Sequence, residues 1–126
     1  MNAQEKRNSL NYAQAGVDVK AGEEAVNRIK TLATSTFNTQ VLTGLGAFGG
    51  MFKPDFAAMN DPVLISSTDS VGTKLKLAFM TGIHNTVGED LVNHCVNDIL
   101  VHGASPLFFL DYIAAPKVKP DIIEQI

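Results

Sequence analysis

At 126 residues and 45% hydrophobic, the chain has enough apolar material for one domain with a core. A net charge of −3 without a basic cluster excludes an electrostatic nucleic-acid binder. The lone cysteine, Cys95, excludes a disulfide framework and suits a reducing compartment. No apolar run approaches the ~18 residues of a membrane span, and the start MNAQEKRNSL lacks a signal peptide's hydrophobic region. The expected location is cytoplasmic, with no membrane partner.

Residues 1–15 are polar, with Tyr12 as their only large anchor. A helix is expected over Ala21 to Thr34, where Ala25, Val26, Ile29, Leu32 and Ala33 fall near helical spacing. Its cations, Lys20, Arg28 and Lys30, read from spacing alone as a solvated face. Val41-Leu42 then resembles the end of a strand, followed by Gly44, Gly46, Gly49 and Gly50. Glycines at this density suit positive φ or close approach of backbone N–H groups to a ligand. No Walker loop or clear dinucleotide fingerprint is present, so a glycine-kinked hairpin and a phosphate cradle both remain open.

Pro62 introduces Val63 to Asp69, which reads as a strand running into hydroxyls and a carboxylate. Ser70-Val71-Gly72-Thr73-Lys74 makes a turn, and Lys74 to Thr81 a helix stopped by Gly82. Free N–H groups, the helix dipole and the Lys74 ammonium would together suit an anion. Asp69 also fits a plainer role as a helix cap or turn former.

The segment Thr86 to Tyr112 combines an amphipathic helix, a stop at Gly103 and the apolar run Leu107 to Leu110, expected as a central strand. Leu91, Val92, Cys95, Val96, Ile99 and Leu100 share one arc of the helix, expected to be core. Asp90, His94, Asn97 and Asp98 gather opposite. With Asp69, these carboxylates suit Mg²⁺, which takes oxygen ligands and is commonly held by one or two carboxylates plus substrate phosphates. His84, His94 and His102 form no zinc pattern, and His94 can pair with Asp98 one turn on. Pro120 suits the first position of a last helix, whose stripe Ile122, Ile123 and Ile126 is unfinished where the sequence stops. That ending reads as a cut inside a helix of a longer protein.

The stretches NYAQAGVDVKAGEEAVNRIK, GLGAFGGMF, SSTDSVGTKLKLA and GEDLVNHCVNDILVHGASPLFFLDYIA closely resemble the amino-terminal part of the phosphoribosylformylglycinamidine cyclo-ligase (aminoimidazole ribonucleotide synthetase) family. The likeness runs from about Tyr12 to Ala115, with several motifs in the family's order. Ser70 departs from it, standing where many members carry glycine, and members continue into a second domain. The resemblance implies ATP-dependent closure of formylglycinamidine ribonucleotide to aminoimidazole ribonucleotide, releasing ADP and phosphate in purine biosynthesis. By matching position, Asp69 and Asp98 would hold Mg²⁺ against ATP, and Asp90 and Asn97 would support that site or contact substrate. Gly72, Thr73 and Lys74 would lie beside phosphate, and Lys30 with Gly44, Gly46, Gly49 and Gly50 in the nucleotide region. The implied fold is an α+β amino-terminal domain whose strands pair across a homodimer into a shared barrel.

Two other readings compete. One is another ATP-using member of the superfamily, such as selenophosphate synthetase, thiamine-monophosphate kinase, the hydrogenase maturation protein or formylglycinamidine ribonucleotide synthetase. The other is a non-catalytic dimerisation module with structural acids. Offering the different substrates separates the first, and magnesium-dependent nucleotide binding counts against the second.

Overall fold

The computed structural model describes residues 11, 12 and 14–126; the polar start, residues 1–10, lies outside the described residues. Helix α1 spans Val19–Ser35, enclosing the expected Ala21 to Thr34. It begins where the Asp18 carboxylate accepts the Ala21 N–H at 3.1 Å, satisfying one of the first-turn donors that a helix leaves unpaired. A 3₁₀ turn, Gly72–Lys74, runs directly into α2, Leu75–Thr81. Helix α3 spans Val87–Leu100, with Glu89 and Asp90 in its first turn where the dipole favours negative charge. Helix α4, Pro120–Gln125, starts on its proline as the sequence indicates. Both expected glycine stops adopt left-handed φ, 71° at Gly82 and 74° at Gly103.

Packing is concentrated in two places. Helix α4 lies against α1, where Ala25 and Ile123 are buried and Arg28 bridges Glu24 at 2.6 Å and Glu124 at 3.3 Å. The backbone carbonyl of Ile126 sits over Gly88, in the space a Cβ there would occupy. Around α3, the buried side chains are Val87 and Cys95, with His84 and Ala78 buried just before it in the chain. Cys95 is thus the buried small hydrophobe its place on the apolar arc indicates. The rest of that arc is only partly covered: Val92 is 40% exposed and Leu100 58%.

The expected α+β fold with a shared strand barrel is not what forms. Among the described residues the elements are helices, and pairing between extended segments is limited to one antiparallel bridge, Val41 to Phe52. Val63 to Asp69 and Leu107 to Leu110, expected as strands, have no ladder partner among the described residues. The physical reason is that β propensity describes fit to a pleated surface, and a strand exists only where a neighbour takes its N–H and C=O groups. The chain accordingly exposes 10812 Å², against roughly 6,500 Å² expected of a compact monomer of this mass.

The one bridge closes the glycine segment as a hairpin. Leu42 N–H donates to Met51 C=O and Lys53 N–H to Gln40 C=O, each at 2.8 Å. Inside the loop the Thr43 hydroxyl accepts the Met51 N–H at 2.8 Å. Phe52 at the foot of the hairpin meets Phe108, ring centroids 5.2 Å apart, which ties it to the apolar run after α3.

Candidate metal centre

The polar face of α3 carries Asp90, His94 and Asp98 one turn apart, and each meets a different residue of the segment before α2. Ser67 Oγ donates to Asp98 Oδ2 at 2.8 Å. His94 Nε2 lies 2.7 Å from Asp69 Oδ2. Lys74 Nζ donates to Asp90 Oδ2 at 3.0 Å. Three successive turns of one helix therefore dock three positions of one loop, a register set by the four-residue spacing on α3. His94 pairs with Asp69 and not, as spacing within the helix suggests, with Asp98.

This docking brings the acids together. Asp69, His94 and Asp98 each offer one ligand atom, and these lie within 4.8 Å of one another. Two donors on one Mg²⁺ are roughly 3 Å apart when adjacent and about 4 Å when opposite, given bonds of 2.0–2.1 Å. The carboxylates fit such an ion after a small side-chain adjustment, and the exposure of Asp69 leaves room for waters and phosphate oxygens. The Ser67 hydroxyl donates to the part-buried Asp98, a partner that sequence reasoning passed over.

Asp69 does not cap the helix that follows; its Oδ1 accepts the N–H of Ser70 at 2.7 Å. That bond, and next the contact with His94, hold the carboxyl below its ordinary range. The serine at position 70 keeps a negative φ, so it imposes no left-handed strain, whereas Gly72 takes φ 80° at the turn into the 3₁₀ helix. Thr73 and Lys74 complete that turn.

The remaining sequence-indicated residues are placed less closely. Asn97 is exposed on α3. Gly46, at φ 93°, faces Gly22, Glu23, Val26 and Asn27 of α1 across an open cleft of about 560 Å³. Gly44 and Gly49 border open space and Gly50 lies under the Leu110 side chain. Lys30 is exposed on α1 and does not line that cleft. The glycine segment is thus a hairpin loop facing α1.

The family described as "AIR synthase related protein, N-terminal domain" matches residues 53–126, more than half of the chain. The chain belongs to that family. Asp69, Lys74, Asp90, His94 and Asp98 all lie in the matched stretch of this AIR synthase related domain, while Lys30 and the glycine loop precede it. Curated relatives bear the name phosphoribosylformylglycinamidine cyclo-ligase. Those of Oleidesulfovibrio alaskensis and Trichlorobacter lovleyi are 56% identical over 115 residues, and that of Bacillus thuringiensis 58%. Each alignment covers 91% of this chain and 33% of the relative, so the chain spans about a third of the length of the relatives it matches. The resemblance of the four quoted stretches to the amino-terminal part of that family is thereby borne out.

Proposed function

We propose that this chain is the ATP- and Mg²⁺-binding amino-terminal portion of a phosphoribosylformylglycinamidine cyclo-ligase, acting in purine biosynthesis in the cytoplasm. The observation that carries the reading is the convergence of Asp69 and Asp98, from segments 29 positions apart, with Lys74 paired to Asp90 on the same helix α3. The reaction asks for this chemistry. The formyl amide oxygen of formylglycinamidine ribonucleotide is a poor leaving group; taking the γ-phosphoryl of ATP makes it a good one. The amidine nitrogen then attacks that carbon, the five-membered ring closes, and phosphate leaves. Phosphoryl transfer depends chiefly on positioning and on neutralising charge on the phosphate oxygens.

In this reading Asp69 and Asp98 are the metal-holding carboxylates, and bound Mg²⁺ supplies charge neutralisation at the phosphates. Lys74 binds a phosphate oxygen. In the free chain its ammonium rests on Asp90, and both side chains are about half exposed, so a phosphate can take Asp90's place without opening the core. Gly72 and Thr73 let the backbone approach the phosphates, Asn97 supports the metal or substrate, and Lys30 with Gly44, Gly46, Gly49 and Gly50 borders the nucleotide. The whole enzyme works as a homodimer in this reading. Its support is the apolar surface left bare in residues 107–113, where Leu110 is 69% and Tyr112 90% exposed.

Calorimetric titration of the chain with a non-hydrolysable ATP analogue, with and without Mg²⁺, tests the reading. Binding is expected only with the metal and is expected to disappear in Asp69→Asn and Asp98→Asn while helical circular dichroism is retained. Equal binding in both variants would remove the carboxylates from the site.

A further inference from the structure

The carboxylates around α3 are engaged with neighbours, whereas one elsewhere in the chain is not. Asp61 is exposed in the loop between the hairpin and the segment before α2. Among the described residues no ion pair reaches it, and the nearest side-chain hydrogen bonds on either side of it are at Ala57 and Ser67. No backbone hydrogen bond ties down residues 60–66. Asp61 is also the one non-glycine residue, among those described, with a left-handed φ, 51°. That conformation costs a residue bearing a side chain. Pro62 follows it, making this the single Asp-Pro bond in the sequence.

An aspartyl carboxyl can react with its own backbone in two ways. The N–H of the next residue can close on the side-chain carbon, a route that proline removes by having no N–H. What remains is attack by the carboxyl oxygen on the Asp61 backbone carbonyl carbon, a five-membered closure favoured by proximity. The nitrogen of a prolyl tertiary amide is more basic than that of an ordinary peptide, which makes it the better leaving group in acid. We propose that the Asp61–Pro62 bond is an acid-labile, self-cleaving site that the fold leaves unprotected. The Asp61 Oδ to carbonyl-carbon bond forms and the carbon–nitrogen bond to Pro62 breaks. The electron pair goes to the proline nitrogen, which gains a proton as the carboxyl loses one. Water then opens the cyclic anhydride, leaving Asp61 with two carboxyls, so the net change is addition of water. One product, residues 1–61, carries α1 and the glycine hairpin; the other, residues 62–126, carries Asp69, Lys74 and α3.

The test uses the full chain at the lowest pH at which its helical circular dichroism persists, beside the same chain unfolded in urea at that pH. Intact masses are followed in both. Two fragments are expected, residues 1–61 and 62–126, whose masses sum to that of the chain plus water. They should form in the folded chain within about threefold of the unfolded rate, since no local structure has to open first. Asp61→Ser removes the nucleophile and Pro62→Ala the leaving group, and each should slow the cut at least about tenfold. Folded-chain cleavage slower than that threefold margin overturns the claim that the fold leaves the bond open. No cleavage, a first cut at another bond, or a cut that proceeds as before in Asp61→Ser overturns the site itself.

Discussion

At the scale of single residues, Lys74 and Asp69 are the most exposed to test. Lys74 is held at 3.0 Å from Asp90, whereas Lys76, two positions on, is an exposed side chain of α2. Lys74→Ala is expected to weaken binding of the Mg-ATP analogue by about tenfold, as loss of one charge-assisted contact implies, and Lys76→Ala by less than about twofold. Titration of both variants checks this, and equal effects would make the turn merely structural. For Asp69 the pH dependence has a definite sign. Its carboxyl is depressed in the folded chain by the Ser70 N–H and then by His94. The unfolded chain therefore binds the proton more readily, and the contribution to stability is present above the ordinary carboxylate range and lost as pH falls through the depressed value. Melting of the unmutated chain and Asp69→Asn should differ near neutrality and converge in acid.

At the scale of elements, α4 packs on α1 and its end reaches the start of α3. Gly88 has no room for a methyl group, because the obstacle is the backbone carbonyl of Ile126 and not a movable side-chain tip. Gly88→Ala should therefore destabilise the chain by about 1–3 kcal/mol through overpacking, read as a lower denaturation midpoint. Asp111 shows the opposite sign from Asp69. It lines a groove with Ile29 and Leu32 of α1 and Ile123 of α4, and desolvation there raises its carboxyl, partly offset by the Tyr112 N–H. A raised value means the folded state holds the proton more tightly, so stability falls as pH rises through the window above the ordinary carboxylate value. Asp111→Asn should raise the melting temperature near neutrality and change it little in acid.

At the scale of the whole molecule, the buried apolar side chains are few among the described residues, while Val63, Leu64, Phe79, Met80, Leu110 and Tyr112 are each largely exposed. Full burial of a side chain of this kind contributes roughly 1.5–3 kcal/mol, which is large against the net stability of a domain. The isolated chain is therefore expected to self-associate. It is also expected to form no aminoimidazole ribonucleotide from Mg-ATP and formylglycinamidine ribonucleotide, because so open a site cannot exclude water or align two substrates. Light scattering alongside a product assay checks both: a clean monomer at high concentration contradicts the first, and sustained product the second.

What the sequence by itself determined is the local and periodic part. The helices, the proline start of α4 and the stops at Gly82 and Gly103 follow from interactions within a few residues of chain. The polar face holding Asp90, His94 and Asp98 follows from helical spacing alone. Only the tertiary structure decided what that face meets. Ser67 with Asp98, Asp69 with His94 and Lys74 with Asp90 pair across 16 to 31 positions, and no local preference specifies such a register. The same reason accounts for the missing strands. Val63 to Asp69 and Leu107 to Leu110 have strand composition, but a strand is completed by hydrogen bonds from another segment, and among the described residues none lies alongside.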